Sequence, residues 1–114
     1  MVIAVTGGTG FVGRHVLNQL AASGHTVRAL ARTPASLPQH AGITPVPGEL
    51  ADPDALSRLC QGVDSVLHIA GAISGTPAQM MRVNAEGTKA LLRAADRAGV
   101  KRVVHVSSLA AREP

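Results

Sequence analysis

Met1 to Gly13 restricts the choice of fold more than any other stretch of the chain. Val2-Ile3-Ala4-Val5 is a continuous run of β-branched and small apolar residues, the pattern of a strand buried on both faces. Thr6-Gly7-Gly8-Thr9-Gly10 comes next, and an amphipathic pattern begins at Phe11. Strand, glycine turn, helix is the arrangement that presents a helix N-terminus to a phosphate. The first N–H groups of a helix have no partner inside it, and the helix dipole favours negative charge there. Gly7, Gly10 and Gly13 have separable jobs in such a turn: a tight bend, close approach of backbone to a pyrophosphate, and close packing of helix on strand. A side chain at any of the three is expected to interfere. The alternative is a tight turn that holds no ligand, and the residues after Gly13 decide between the two.

The chain has 114 residues, enough for one domain with a sizeable core. It holds one Phe and neither Tyr nor Trp, and its formal net charge is +4. Nucleic-acid binding asks for a basic cluster interleaved with aromatics, which is absent. The positive charge reads as a solvated surface that also favours an anionic ligand. Cys60 is alone, so there is no internal disulfide or cysteine metal site, and it reads as an inert core thiol. The five histidines have no metal-ligand spacing and are read as structural. No apolar stretch is long enough to span a bilayer, and the early first strand argues against a signal peptide. The expected compartment is a reducing cytoplasm.

Beyond the turn, strand and helix alternate. A first helix is expected from about Gly10 to Ser23, with Val12, Val16 and Leu20 on one face and Leu17 and Ala21 beside them. Gly24 ends it. Thr26 to Ala31 forms the second strand, Pro34 and Pro38 interrupt the next segment, and Ile43 to Val46 forms a third strand. Pro45 lacks an N–H and puts that strand at an edge. Asp52 is a good N-cap and Pro53 a good first residue for a helix reaching Cys60. Val63 to Ala70 is a fourth strand. A long helix from about Ala78 to Ala98 carries Arg82, Glu86, Lys89, Arg93 and Arg97 on one side, and Asn84, Gly87, Thr88, Leu91 and Ala95 on the other. Asn84 on a packed face should have a hydrogen-bond partner. Arg102 to Val106 is a fifth strand, before Ser107-Ser108.

This alternation predicts an α/β fold, a doubly wound parallel sheet of five strands in the order 3-2-1-4-5. A crevice then opens at the carboxyl ends of strands 1 and 4. The glycine turn, Ala70-Gly71 and Ser107-Ser108 converge on that edge. At the end of the second strand, where such folds place an adenosine ribose, an acid binds the 2′-hydroxyl and an arginine accommodates a 2′-phosphate. There is no Asp or Glu between Gly13 and Glu49, and Arg32 occupies the position, with Arg14 and Arg28 also available. The chemistry favours NADP over NAD.

Thr6-Gly7-Gly8-Thr9-Gly10-Phe11-Val12-Gly13 resembles the glycine motif of the extended and atypical short-chain dehydrogenases/reductases, including the NAD(P)-dependent epimerase/dehydratase group. Gly48-Glu49-Leu50, His68-Ile69-Ala70-Gly71, Asn84-Ala85-Glu86-Gly87-Thr88 and Val106-Ser107-Ser108 match further motifs, in family order along the whole chain. The resemblance implies a Rossmann-type fold. It implies that Gly7, Gly10, Phe11, Val12 and Gly13 hold the pyrophosphate, and that Arg32 takes the 2′-phosphate. Glu49 and Leu50 would lie against the adenine, although the family usually has Asp at the first of them. Ala70 and Gly71 would line the ribose near the nicotinamide, and Asn84 would help order the active site. Ser108 matches the serine that hydrogen-bonds the substrate oxygen, with Ser107 facing the cofactor or the core.

One part of the family pattern is missing. A Tyr-x-x-x-Lys pair comes after the serine in the family, with Tyr as acid/base, and this chain has no tyrosine. General acid/base chemistry needs a positioned proton donor. Residues 1–114 therefore read as a single NAD(P)-binding domain, the N-terminal part of a longer oxidoreductase or epimerase that acts on a small molecule and is inactive as this piece alone. The bare apolar strand Val103-Val104-His105-Val106 fits that reading, since whole proteins usually cover such an edge. Two other classes compete: a non-catalytic dinucleotide module, such as a redox sensor or accessory subunit, and a small α/β domain that binds no nucleotide.

Overall fold

The computed structural model describes residues 1–69 and 76–106, apart from the side chain of Met80. The elements alternate as β1 (Val2–Thr6), α1 (Phe11–Ala22), β2 (Thr26–Ala31), a 3₁₀ turn (Pro34–Ser36), β3 (Ile43–Pro47), α2 (Pro53–Cys60), β4 (Ser65–Ile69), α3 (Pro77–Arg97) and β5 (Arg102–Val106). All strand pairs are parallel, and the order is β3-β2-β1-β4-β5. The sequence-based order and the edge position of β3 both hold. Pro45 and Pro47 lie opposite Ala29 and Ala31 on β2, and the outer side of an edge strand tolerates their missing N–H groups.

Side chains alternate along each strand and so divide into two cores. Ile3, Val5, Val27 and Ala29 pack with Leu17 and Ala21 of α1 on one face. Ala4, Leu30, Val46 and Val66 pack with Leu56 and Leu59 of α2 and Leu91 and Ala95 of α3 on the other. Cys60 is fully buried in this second core, and burial pushes its thiol pKa up. This is an inert thiol, as expected of a lone cysteine beside a leucine.

Two expectations shift. The buried line of α1 is Gly13, Leu17 and Ala21, with Val16 and Leu20 flanking it and Val12 exposed. Gly13 docks on the glycine turn and thereby rotates the helix, which takes Val12 off the core. The fourth strand begins at Ser65 rather than Val63, because Gly62 takes φ +74° and the Val63 N–H closes a turn onto the Cys60 carbonyl.

Candidate functional site

The glycine turn leaves β1 under two tight constraints. Gly7 has φ +79°, and a Cβ there would overlap the Ile69 carbonyl oxygen. A Cβ on Gly13 would overlap the Gly7 carbonyl oxygen and stand 2.7 Å from the Gly8 Cα. These are the tight bend and the close helix–strand packing anticipated from the spacing. Gly10 differs. It is the N-cap of α1, in extended backbone that any residue adopts, and among the described residues the nearest atom to a Cβ would be the Gly7 oxygen at 3.9 Å. Gly7 and Gly13 are fixed by the protein itself, and among the described residues nothing crowds Gly10 above the helix.

That space is the N-terminus of α1. No side chain caps the helix and no acid stands in its first turn. Phe11 is 92 % exposed and Val12 is exposed beside it. The other two helices are closed. The Asp52 carboxylate accepts from the N–H groups of Asp54 and Ala55 at 3.1 and 3.3 Å. Thr76 and Gln79 form a reciprocal capping box on α3.

A groove of about 1020 Å³ runs from the glycine turn along the carboxyl ends of β1, β2 and β4 and between α2 and α3. Gly7, Thr9, Arg32, Glu49, Leu50, His68 and Asn84 all line it. Arg32 is exposed at the end of β2. Arg14, in the first turn of α1, donates from Nη1 to the Ser36 carbonyl at 3.0 Å, which ties it to the segment after Arg32. Arg28 is not available to the groove. Its guanidinium donates to the carbonyls of Arg58 and Gln61, where it closes the C-terminal end of α2. Leu50 packs over Gly87 of α3, where a Cβ would stand 2.9 Å from its Cδ1.

His68 occupies the centre of a row. Its cross-strand neighbours are Thr6 on β1 and His105 on β5. It is 4 % exposed, its Nδ1 lies 2.5 Å from Thr6 Oγ1, and its Nε2 lies 3.0 Å from Thr88 Oγ1 on α3. The Thr88 hydroxyl donates to the Asn84 carbonyl at 2.8 Å. The His105 ring stacks on His68 with centroids 4.8 Å apart. Burial, and then the charge of His105, lower the His68 pKa from its ordinary value. The unfolded chain therefore takes up a proton at His68 before the folded one does, and stability falls as pH drops below about 6.5.

The structure brings Gly7, Gly10, Phe11, Val12, Gly13, Arg32, Glu49, Leu50 and Asn84 to one edge of the sheet. Ala70, Gly71, Ser107 and Ser108 lie outside the described residues. The side-chain partner expected for Asn84 is not found among the described residues, although its carbonyl is engaged by Thr88. No group of histidines, cysteines or carboxylates fit for a metal occurs among the described residues. No helix among them is long and apolar enough to cross a membrane. Sequence reasoning misses Thr6, His68 and Thr88 as a linked set. Thr6 immediately precedes the glycines and Thr88 stands one turn after Asn84, which is the available signal.

Residues 7–114 match a protein-family model described as NAD(P)H-binding. The ceramide reductase of Caulobacter vibrioides is 42% identical over 99% of this chain, which covers 36% of that protein. The 3-beta-hydroxysteroid dehydrogenase of Mycolicibacterium neoaurum is 36% identical over 93% of the chain, which covers 31% of it. Among solved structures, a short-chain dehydrogenase/reductase superfamily protein from Agrobacterium tumefaciens with bound NAD superposes with a TM-score of 0.79 at 43% identity. That match covers 95% of this chain and 33% of the other. The chain thus spans about a third of the length of the relatives it matches.

Proposed function

The chain belongs to the NAD(P)H-binding family, as a Rossmann domain of the short-chain dehydrogenase/reductase and epimerase type, and from that premise we propose that it seats NADP in preference to NAD. The observation that carries the site is the open N-terminus of α1. Among the described residues it has no side-chain cap, its first turn holds no acid, and at Gly10 there is room for a phosphate. The pyrophosphate rests on Gly7, Gly10, Phe11, Val12 and Gly13. Arg32 takes the 2′-phosphate, with Arg14 as a second cation nearby, and no acid stands at the end of β2 to select a 2′-hydroxyl. Glu49 and Leu50 border the adenine. By the family resemblance, Ala70 and Gly71 are assigned to the ribose near the nicotinamide, Ser107 to the cofactor, Ser108 to a substrate oxygen and Asn84 to ordering the site. The bound cofactor supplies hydride transfer.

The 114 residues act as one dinucleotide-binding domain alongside a substrate region such as the longer relatives have room for. The buried free thiol of Cys60 suits a reducing cytoplasm. With no tyrosine in the chain, cofactor binding without turnover is expected of these residues alone. Titration with NADP⁺, NAD⁺ and their reduced forms, on wild type and Arg32→Ala, tests the reading. Wild type should prefer NADP⁺ and the variant should lose that preference. An unchanged ratio returns Arg32 to an ordinary surface residue, and measurable hydride transfer by the chain overturns the second expectation.

A further inference from the structure

The hydroxyl of Thr88 has one hydrogen, and it is given to the Asn84 carbonyl. In that arrangement the same oxygen accepts from His68 Nε2, which carries the proton. His68 Nδ1 is then the bare nitrogen, and the Thr6 hydroxyl donates to it. With the Thr88 hydrogen assigned to the carbonyl, which can only accept, the chain Thr6–His68–Thr88–Asn84 runs in one direction and His68 takes the Nε2–H tautomer. Thr6 is 1 % exposed. The chain crosses from the residue just before the glycine turn, through the end of β4, to the turn of α3 that carries Asn84. It joins the two walls of the groove.

We propose that His68 is a positioning residue for the dinucleotide site: its neutral Nε2–H tautomer holds the glycine turn in register with Asn84 on α3, and its protonation releases that tie. A proton on Nδ1 would meet the Thr6 hydroxyl, which would have to turn and accept. Its own hydrogen would then point away from its partner inside a buried site, at a cost comparable to a lost buried hydrogen bond. The titratable group facing His68 is His105 on β5, and a positive charge on either ring opposes one on the other. β1 presents Thr6 and α3 presents Thr88, so among the described residues the partners of the ring are hydroxyls and not a carboxylate that would favour the charged form. Loosening Thr6 frees the residue bonded to Gly7, whose carbonyl oxygen seats Gly13. A cradle that must first be ordered binds more weakly than one already in place.

The inference rests on the proposed dinucleotide site, and two measurements separate the two. Nitrogen-15 spectra of the histidine rings should show His68 as the Nε2–H tautomer at neutral pH. A protonated Nδ1 there overturns the proposal. Dissociation constants for NADP⁺ should rise at least about threefold between neutral pH and about pH 5 in wild type, and the rise should flatten in His68→Gln, which cannot titrate. Any titration of the ligand's own phosphates is common to both proteins. Identical pH profiles overturn the positioning role, whereas no binding by wild type at any pH overturns the dinucleotide site itself. Should His68→Gln fail to fold, Thr88→Ser and Thr88→Val give the same answer. The serine keeps the oxygen and should bind as wild type, the valine should bind several-fold more weakly, and equal affinities reject the proposal.

Discussion

The N-termini of α1 and α2 solve the same problem in opposite ways. Each leaves backbone N–H groups without helical partners. In α2 the chain answers with its own carboxylate, since Asp52 binds two of them and Asp54 adds an acid to the first turn. Arg28 closes the other end by donating to the last carbonyls. Both ends of α2 are therefore neutralised from within. In α1 the N-cap is a glycine, the first turn holds no acid, and Phe11 and Val12 stand in the open. Under the proposed function, local stability is forgone at α1 so that its N-terminus stays open to a phosphate. A helix built only to pack would have been capped.

The contrast can be broken at several points. The largest effect is expected for Gly13→Ala, whose methyl overlaps the Gly7 carbonyl oxygen. It should cost about 3 kcal/mol in urea unfolding and abolish NADP⁺ binding with it. Gly10→Asp gives α1 the kind of cap that α2 has. The extended backbone at Gly10 accepts any residue, so stability should hold or rise by a few tenths of a kcal/mol, to judge from cap preferences (roughly 0.3). Dinucleotide affinity should nevertheless drop about tenfold or more, which is about 1.4 kcal/mol, because a carboxylate now occupies the proposed phosphate position. Asp52→Ala should do the reverse, with about 1 kcal/mol of stability lost and NADP⁺ affinity unchanged. Arg28→Met should be milder, about 0.5 kcal/mol, because its bonds are largely solvent-exposed, and it too should leave binding alone.

Much of the fold is legible in the sequence because short-range chemistry sets it. Asp52-Pro53 announces a helix start, Pro45 an edge strand, and Gly7 and Gly13 a turn whose packing admits no Cβ. The strand order comes from alternation and parallel pairing. Rotation and pairing at a distance are not legible in the same way. Nothing local says that Gly13 docking turns α1 until Val12 leaves the core. Arg28 looks like any cation near a strand end until α2 is placed across the sheet, and then it belongs to Arg58 and Gln61. His68 reads as structural from sequence because a histidine in an apolar strand usually is. Its role depends on Thr6 and Thr88, which are 62 and 20 residues away in sequence.

The central claim is that the open end of α1, and not a capped helix end, receives the cofactor's phosphates. Backbone amide spectra of the nitrogen-15-labelled chain, recorded as NADP⁺ is added, test it most directly. The amides of Phe11, Val12 and Gly13 should shift strongly with saturation, while those of Asp54, Ala55 and Gln79, already bonded to side-chain oxygens at the starts of α2 and α3, should stay in place. Saturable shifts at α2 or α3 with none at α1 would contradict it.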